Sequence, residues 1–396
     1  MDTIIDKIRQ LSAHYAQDVT GIRRHLHANP ELAFEEHKTA EYIASKLDEY
    51  NIPYKQGVAK TGIVALIQGT NPSKKVVALR ADMDALPIAE KNNIEYKSNN
   101  PGLMHACGHD VHMASLLGAA RILKKLSNEF EGTVKLIFQP SEEKYPGGAK
   151  LMIEEGALEK PKPAVIWGQH VFPLLEAGKI GLRSGEYMAS TDEVFITVKG
   201  KGGHAATPEL NIDPVPIAAT IILELQKIIN SKSTPECPTV FALGRVIADG
   251  KNNIIPDEVT LDGTLRAFDE KWRDEAHQII REKSQSIAQS MGGNSEVKID
   301  KGYPVLVNDD TVTANTRKYA EEYLGKENVV NLDLRMTAED FAYFAQQVPA
   351  CFYRLGIRNE AKGIISNLHT STFNVDESCL ETGMGLMAWL AVSELK

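Results

Sequence analysis

Apolar residues at the start of the chain recur with helical spacing: Ile4, Ile5, Ile8, Leu11, Tyr15 and Val19 fall on one stripe. The pattern predicts a long first helix, interrupted at Asn29-Pro30 in "HANPEL", and a second over "EEHKTAEYIASKLDEY". The period then changes. "GIVALI" and "VVALRADMD" are short, continuously apolar runs divided by the turn residues of "GTNPSKK", which is the texture of buried strands. Helix "VHMASLLGAARILKKL", strand "TVKLIFQPSEE", helix "GGAKLMIEEGAL" and strand "PAVIWGQHV" follow in turn. Strands alternating with helices predict an α/β portion built on a mostly parallel sheet.

From about Glu186 the pattern is different. "DEVFITVKGKGGHAATPEL" alternates and then turns on glycines, and "PVPIAATIILELQKII" is a long apolar helix. "TVFALGRVIADG" and "EVTLDGTLRAF" read as antiparallel strands, followed by helix "EKWRDEAHQIIREKSQSIAQSM" and a strand near "SEVKID". This stretch predicts an inserted α+β module of about a hundred residues. The α/β texture returns through "TANTRKYAEEYLG", "AEDFAYFAQQV" and "FYRLG", and a helix follows "NLHTSTFNVDE". A chain of 396 residues also exceeds the usual size of one hydrophobic core, so two domains are expected.

Composition narrows the class. The content is 43% hydrophobic and 24% charged, ordinary for a globular enzyme, and the net charge of -9 is spread without a Lys/Arg stripe. Nucleic acid is therefore not the expected partner. No apolar run is long enough to cross a bilayer, and the N-terminal stretch lacks the apolar core of a signal peptide. The expected location is cytoplasmic, and the four scattered cysteines, Cys107, Cys237, Cys351 and Cys379, suit a reducing compartment. Cys237, Cys351 and Cys379 read as small buried hydrophobes.

Cys107 stands apart because "LMHACGHDVHMAS" crowds His105, Cys107, His109, Asp110 and His112 together. Polar residues also gather where predicted strands stop: Arg80, Asp82 and Asp84 after "VVAL", Glu142 and Glu143 after "VKLIF", His170 after "AVIWG". Open α/β sheets bind ligands beyond the carboxyl ends of their strands, so these tips have a common destination. Thiolate, imidazole and carboxylate together suit Zn²⁺ or a similar divalent ion. The candidate ligands are Cys107, His109, Glu143, His170 and His369, more than one zinc site takes, which points to two metals with a shared ligand. His105 and His112 are left out, His112 as a first-turn residue of a helix that Asp110 can cap. Of the adjacent carboxylates, Glu143 is assigned as ligand and Glu142 as the base that takes a proton from water and returns it to the leaving amine.

The runs "DMDALP", "MHACGHDVHMA", "QPSEE", "GGHAATP", "NNIIPD", "AEDF" and "LHTSTFNVDE", in this order over nearly the whole chain, resemble the aminoacylase and carboxypeptidase family of two-metal peptidases. The closer likeness is to its amidohydrolase subgroup, which includes hippurate hydrolases, auxin-conjugate hydrolases and N-acetyl-amino-acid deacetylases. The resemblance implies a metallohydrolase domain over 1–186 and 301–396, interrupted by a dimerisation or lid domain over 187–300. It gives Cys107, His109, Glu143, His170 and His369 as ligands of two divalent ions and Glu142 as general base. Zn²⁺ and Mn²⁺ head the candidates, and Co²⁺ or Ni²⁺ suits the same donors. His204 in the lid would hold the substrate or its oxyanion across a homodimer, while Asn252 or Asn253 and Arg266 would contact the substrate carboxylate. Where the peptidase branches carry His-x-Asp, this chain has Arg80-Ala81-Asp82, so Asp82 is expected to support the ligands and not to be one.

The implied reaction is hydrolysis of the amide bond of an N-acyl amino acid by metal-activated water, with a small-molecule substrate as partner. Two alternatives stay open at this point. One is a metallo-aminopeptidase or dipeptidase on the same fold, and the other is a thiol hydrolase using Cys107 as nucleophile.

Overall fold

A computed structural model describes residues 3–396, which divide into two compact units. The first takes the chain up to Gly185, then Val307–Asp333 and Asp340–Lys396; the second takes Glu186–Leu306 and Leu334–Glu339. Compared with the boundaries expected from sequence, the second unit runs on through 301–306 and draws in the return segment Leu334–Glu339.

Helix α1 (Ile4–Ala28) starts at Thr3, whose hydroxyl accepts from the Asp6 N–H while the Asp6 carboxylate accepts from the Thr3 N–H, a reciprocal cap. Its stripe buries Ile8, Tyr15, Val19, Ile22 and Leu26. After α2 (His37–Glu49) come β1 (Tyr54–Val58), β2 (Gly62–Gln68), β3 (Val76–Asp82), α3 (His109–Lys125), β4 (Thr133–Gln139), α4 (Gly148–Glu154), β5 (Val165–Glu176) and β6 (Ile180–Leu182). Strand β7 (Gly185–Met188) leads into the second unit.

The second unit contains β8 (Asp192–Lys199), β9 (Gly203–His204), α5 (Pro214–Asn230), β10 (Val240–Ala248), β11 (Ile254–Ile255), β12 (Glu258–Arg266), α6 (Glu270–Ser290) and β13 (Asn294–Lys301). Its four-stranded antiparallel sheet has the order β10-β12-β8-β13. One face of that sheet is covered by α5 and α6, whose Ile217, Ile221, Leu225, Ala276 and Ile280 join the apolar cluster with Val194, Ile196 and Leu261. Buried Asp192 ties α6 to the sheet through Arg273 and His277, and these partners hold its carboxyl down to about 2 against the upward push of burial.

The chain returns through β14 (Leu306–Asn308), α7 (Asp310–Leu324), β15 (Val329–Asn331), α8 (Ala342–Ala345), β16 (Ala350–Arg358) and α9 (Cys379–Leu395). The large sheet of the first unit has the order β1-β2-β4-β3-β5-β16-β6-β15. Its centre, β4-β3-β5-β16, is parallel, and β1-β2, β2-β4 and β16-β6 are antiparallel. Strand β4 is buried along its whole length, as expected of parallel strands covered on both faces. Helix α9 is buried almost all round, which is why its sequence is apolar without a stripe. Cys351 and Cys379 are buried as expected, whereas Cys237 is only half-buried. Among the described residues no helix is long and apolar enough to cross a membrane.

One buried charge interrupts β4. Lys135 is 1% exposed, and its ammonium donates to the carbonyls of Ala157 at 2.7 Å and Glu159 at 2.8 Å. Burial lowers its pKa from 10.5 to about 8. A folded pKa below the unfolded one means the unfolded chain holds more protons between those values, so stability rises with pH across the window from about 8 to 10.5. Relative to Lys135→Met, the wild type should gain roughly 3 kcal/mol over that window, at 1.36 kcal/mol per pKa unit. Chemical denaturation of both proteins at pH 7 and 10.5 checks this, and a stability difference independent of pH would contradict it.

Candidate metal centre

Three loops meet at the carboxyl ends of the parallel strands. Strand β3 ends at Asp82, with Asp84 just beyond; β4 ends at Gln139 and leads to Glu142 and Glu143; and the loop 104–108 leads into α3. Gly108 caps α3 at φ 86°, and a Cβ there would meet Val171 Cγ2 at 2.4 Å, so glycine is required between the two metal-ligand candidates Cys107 and His109. Asp110 does not cap the helix. It turns inward, where Oδ2 accepts from Arg23 Nε at 2.7 Å and pairs with His27 Nδ1 at 2.8 Å, because a buried carboxylate needs cationic partners more than a cap. His170 is not at a strand tip either: β5 continues to Glu176 because β16 stays paired alongside it, with Arg354 opposite His170. The last donor, His369, adopts φ 60° and donates its N–H to Ala106 O at 2.8 Å, which fastens its loop to the Cys107 loop.

The donor atoms of Cys107, His109 and His170 lie within 4.8 Å of one another, and so do those of Cys107, Glu143 and His369. Cys107 belongs to both groups. Its Sγ is 3.4 Å from His170 Nε2 and 3.3 Å from His369 Nε2, and His369 Nε2 is 3.0 Å from Glu143 Oε1. A third group joins His109, Glu142 and Glu143, which sets the proposed base against the ligand candidates.

Neighbouring residues fix these side chains. His109 Nδ1 lies 2.8 Å from the Asp84 carbonyl and His170 Nδ1 2.8 Å from the Val171 carbonyl; a carbonyl only accepts, so each Nδ1 carries a proton and Nε2 is the ring nitrogen left to face a cation. His112 is spent differently. Its Nε2 accepts from the Val171 N–H at 2.9 Å and its Nδ1 meets Asp82 Oδ1 at 2.6 Å, which leaves no lone pair for a metal. Asp82 is held in turn by Arg80 at 2.6 Å, and Arg80 reaches on to Asp340 at 2.9 Å. His105 is buried with no hydrogen-bond partner, and burial pushes it down to about 4.

Two supports were not read from the sequence. Asp84 places one carboxylate oxygen 2.9 Å from the Glu142 N–H and the other 2.9 Å from the Glu143 N–H, so one side chain holds both glutamates as well as His109. Glu36 accepts from the Ser141 N–H at 2.9 Å and from the Thr61 hydroxyl at 2.7 Å, and Ser141 sits at φ 51° directly before Glu142. The strand-end position of Asp84 was visible in the sequence, but its acceptance of backbone N–H groups was not.

The charge pattern favours a cation. Burial and the carboxylates Glu143 and Glu142 push the Cys107 thiol well above its ordinary value, the reverse of what a thiol nucleophile needs. His109 is pushed up to about 10, because Asp82 and Asp84 outweigh burial. Its Nε2 is buried with no hydrogen-bond partner, and Asp82 Oδ2 is 3.7 Å away, beyond hydrogen-bonding reach. An orphaned imidazole nitrogen beside a thiol, a second imidazole and carboxylates fits a divalent ion of borderline softness.

The remaining sequence-derived candidates belong to the second unit, whereas every metal-donor candidate belongs to the first. His204 is exposed in β9 opposite Ile254 of β11, and its Nδ1 accepts from the Ala206 N–H at 3.0 Å. Asn252 and Asn253 form the turn before β11, where the Asn253 carbonyl accepts from the Ala205 N–H at 3.1 Å, so the three share one ribbon. Arg266 closes β12, half-buried opposite Val240.

Residues 78–392 match the family described as Peptidase family M20/M25/M40. The N-acyl-L-amino acid amidohydrolase of Geobacillus stearothermophilus is 40% identical over 305 residues, 77% of this chain and 82% of that protein. Thermostable carboxypeptidase 2 of Saccharolobus solfataricus is 38% identical over 392 residues, 98% of each. Among solved structures, the Bacillus subtilis YXEP protein, a dinuclear metal binding peptidase, superimposes with a TM-score of 0.85 at 34% identity, covering 97% of this chain and 99% of that one.

Proposed function

The chain belongs to the peptidase M20/M25/M40 family, and from that premise we propose that it hydrolyses the amide bond of N-acyl amino acids to a free amino acid and a carboxylic acid. It is a hydrolase of C–N bonds and a metal-dependent amidohydrolase. The observation that carries the finer reading is the convergence of Cys107, His109, His170, Glu143 and His369, with Cys107 in two donor groups and Glu142 beside them. Two divalent cations held by these residues would supply the Lewis acidity that acidifies water and polarises the amide carbonyl.

The protein's own residues do the rest. Glu142 takes the proton of the attacking water and delivers it to the departing nitrogen, since an amine leaves far more readily when protonated. Asp84 keeps Glu142 and Glu143 in register. His204 is read as the group that stabilises the oxyanion, and Asn252, Asn253 and Arg266 as the groups that hold the amino acid's carboxylate, for which a planar guanidinium is suited.

Assembly and location belong to the same reading. A homodimer through the second unit is supported by the edge strand β10, which exposes Val240, Val246 and Ile247 on an unpaired flank. The unpaired cysteines support a reducing, cytoplasmic setting.

A second reading, carboxypeptidase action, is favoured by the Saccharolobus relative and asks the same centre to cut a C-terminal peptide bond. N-acetyl, N-benzoyl and N-succinyl amino acids assayed beside free dipeptides, after EDTA treatment and reloading with Zn²⁺, Mn²⁺, Co²⁺ or Ni²⁺, separate these readings. The expected result is cleavage of the acylated amino acids, lost on chelation and regained with metal. Faster cleavage of dipeptides would favour the peptidase, and activity indifferent to EDTA but abolished by alkylating Cys107 would overturn the metal mechanism.

A further inference from the structure

Strand β2 presents its two faces to very different surroundings. On one face Ile63, Ala65 and Ile67 sit in the core, at most 2% exposed. On the other, Val64 and Leu66 are only half-buried, although they are apolar and β2 is paired on both sides, with β1 and β4. They floor a cavity of about 630 Å³, walled by Tyr54, Val58 and Ala157. That volume is in the range of small-molecule sites, and the cavity shares no lining residue with the metal centre.

Lys135, paired with Leu66 across the β2–β4 ladder, lines the same cavity. An ammonium has three donors, and the carbonyls of Ala157 and Glu159 take two, both as neutral acceptors. Among the described residues no carboxylate forms an ion pair with this buried cation, and the Glu159 carboxylate acts on it only from a distance. The neighbouring acids are otherwise placed: Glu155 accepts the Ala59 N–H at 2.9 Å, and Glu159 is exposed. Lys55 and Lys160 add positive charge at the exposed margin. An apolar floor with one desolvated cation whose direct hydrogen bonds go only to neutral carbonyls recognises an apolar body that carries one anionic group.

We propose that this cavity is a second, non-catalytic binding site for an alkyl or aryl monocarboxylate, with the hydrocarbon on Val64 and Leu66 and the carboxylate accepting from Lys135. A charge-assisted hydrogen bond to a buried ammonium is stronger than its neutral counterpart, so the carboxylate and not the chain alone sets the affinity. The site also differs from the metal centre in needing no ion to take up its ligand.

Isothermal titration of the metal-loaded protein with octanoate, and with octan-1-ol as the uncharged chain, tests the site. Octanoate is expected to bind at least about tenfold more tightly than octanol. Lys135→Met should weaken octanoate by a similar factor while leaving octanol unchanged. Leu66→Glu, which sets a carboxylate into the floor without touching Lys135, should abolish octanoate binding. Both variants should keep wild-type metal content and amide hydrolysis, which guards against general misfolding. Octanoate binding that survives both substitutions, that disappears when the metals are stripped, or that octanol equals would overturn the proposal, as would no binding at all.

Discussion

Glu142→Gln is expected to lower turnover by about 10²–10⁴-fold while metal content stays at the wild-type level. The two effects separate because the substitution changes one property. Glutamine matches the shape of glutamate and keeps the backbone N–H that Asp84 Oδ1 accepts at 2.9 Å, so the loop after β4 holds its course. It cannot accept the water's proton and pass it to the leaving nitrogen. Cys107, His109, His170, Glu143 and His369 are untouched, so the ions keep all five proposed ligands. Since the base acts in the transition state and not in ground-state binding, kcat and kcat/KM should fall together with KM nearly constant. Metal analysis and steady-state kinetics on one preparation decide the matter. Unchanged activity at full metal content would remove Glu142 from the mechanism, and loss of metal would make it a ligand.

The residues of this site were unequally legible in the sequence. Cys107 and His109 are a weak signal by themselves, since a histidine beside a helix start is often structural, and they become ligand candidates only in combination with carboxylates and histidines such as Glu143 and His170 that follow apolar runs. The alternation of buried strands and helices likewise disclosed the parallel centre of the large sheet. Strand β1 escaped notice because "YKQGV" is an exposed edge with no apolar run, formed through pairing with β2. The role of Asp110 was misread for a related reason. First-turn aspartates usually cap, and only the approach of Arg23 and His27 from α1, far back in the chain, turns this one inward. Lys135 hid inside "TVKLIF", since its partners are carbonyls 22 and 24 residues further on. Side chains that act through the backbone of distant segments leave no local pattern to read.

Asp84 is the strongest case, and its replacement is the second large effect expected. In Asp84→Asn one oxygen becomes an amide nitrogen, so either the Glu142 N–H or the Glu143 N–H faces a donor and not an acceptor. The new group cannot satisfy both, and the carboxylate 3.2 Å from His109 Nδ1 loses its charge as well. The loop carrying the proposed base and ligand is then released at its root, while the Asp84 carbonyl still accepts from His109. Loss of a residue that orients ligands weakens metal affinity by typically about 10–100-fold. Turnover should fall further, by about 10²-fold even at saturating metal, because a displacement of about 1 Å of the base is enough for that. The order of the effects identifies the cause. If Asp84 merely stabilised the fold, added metal would restore kcat in the folded fraction and the melting temperature would drop in proportion. If it positions Glu142, kcat stays low in a fully folded, fully metallated protein. Full recovery of kcat with excess metal would therefore confine Asp84 to the ligands and leave the placement of Glu142 to the strand end and Glu36.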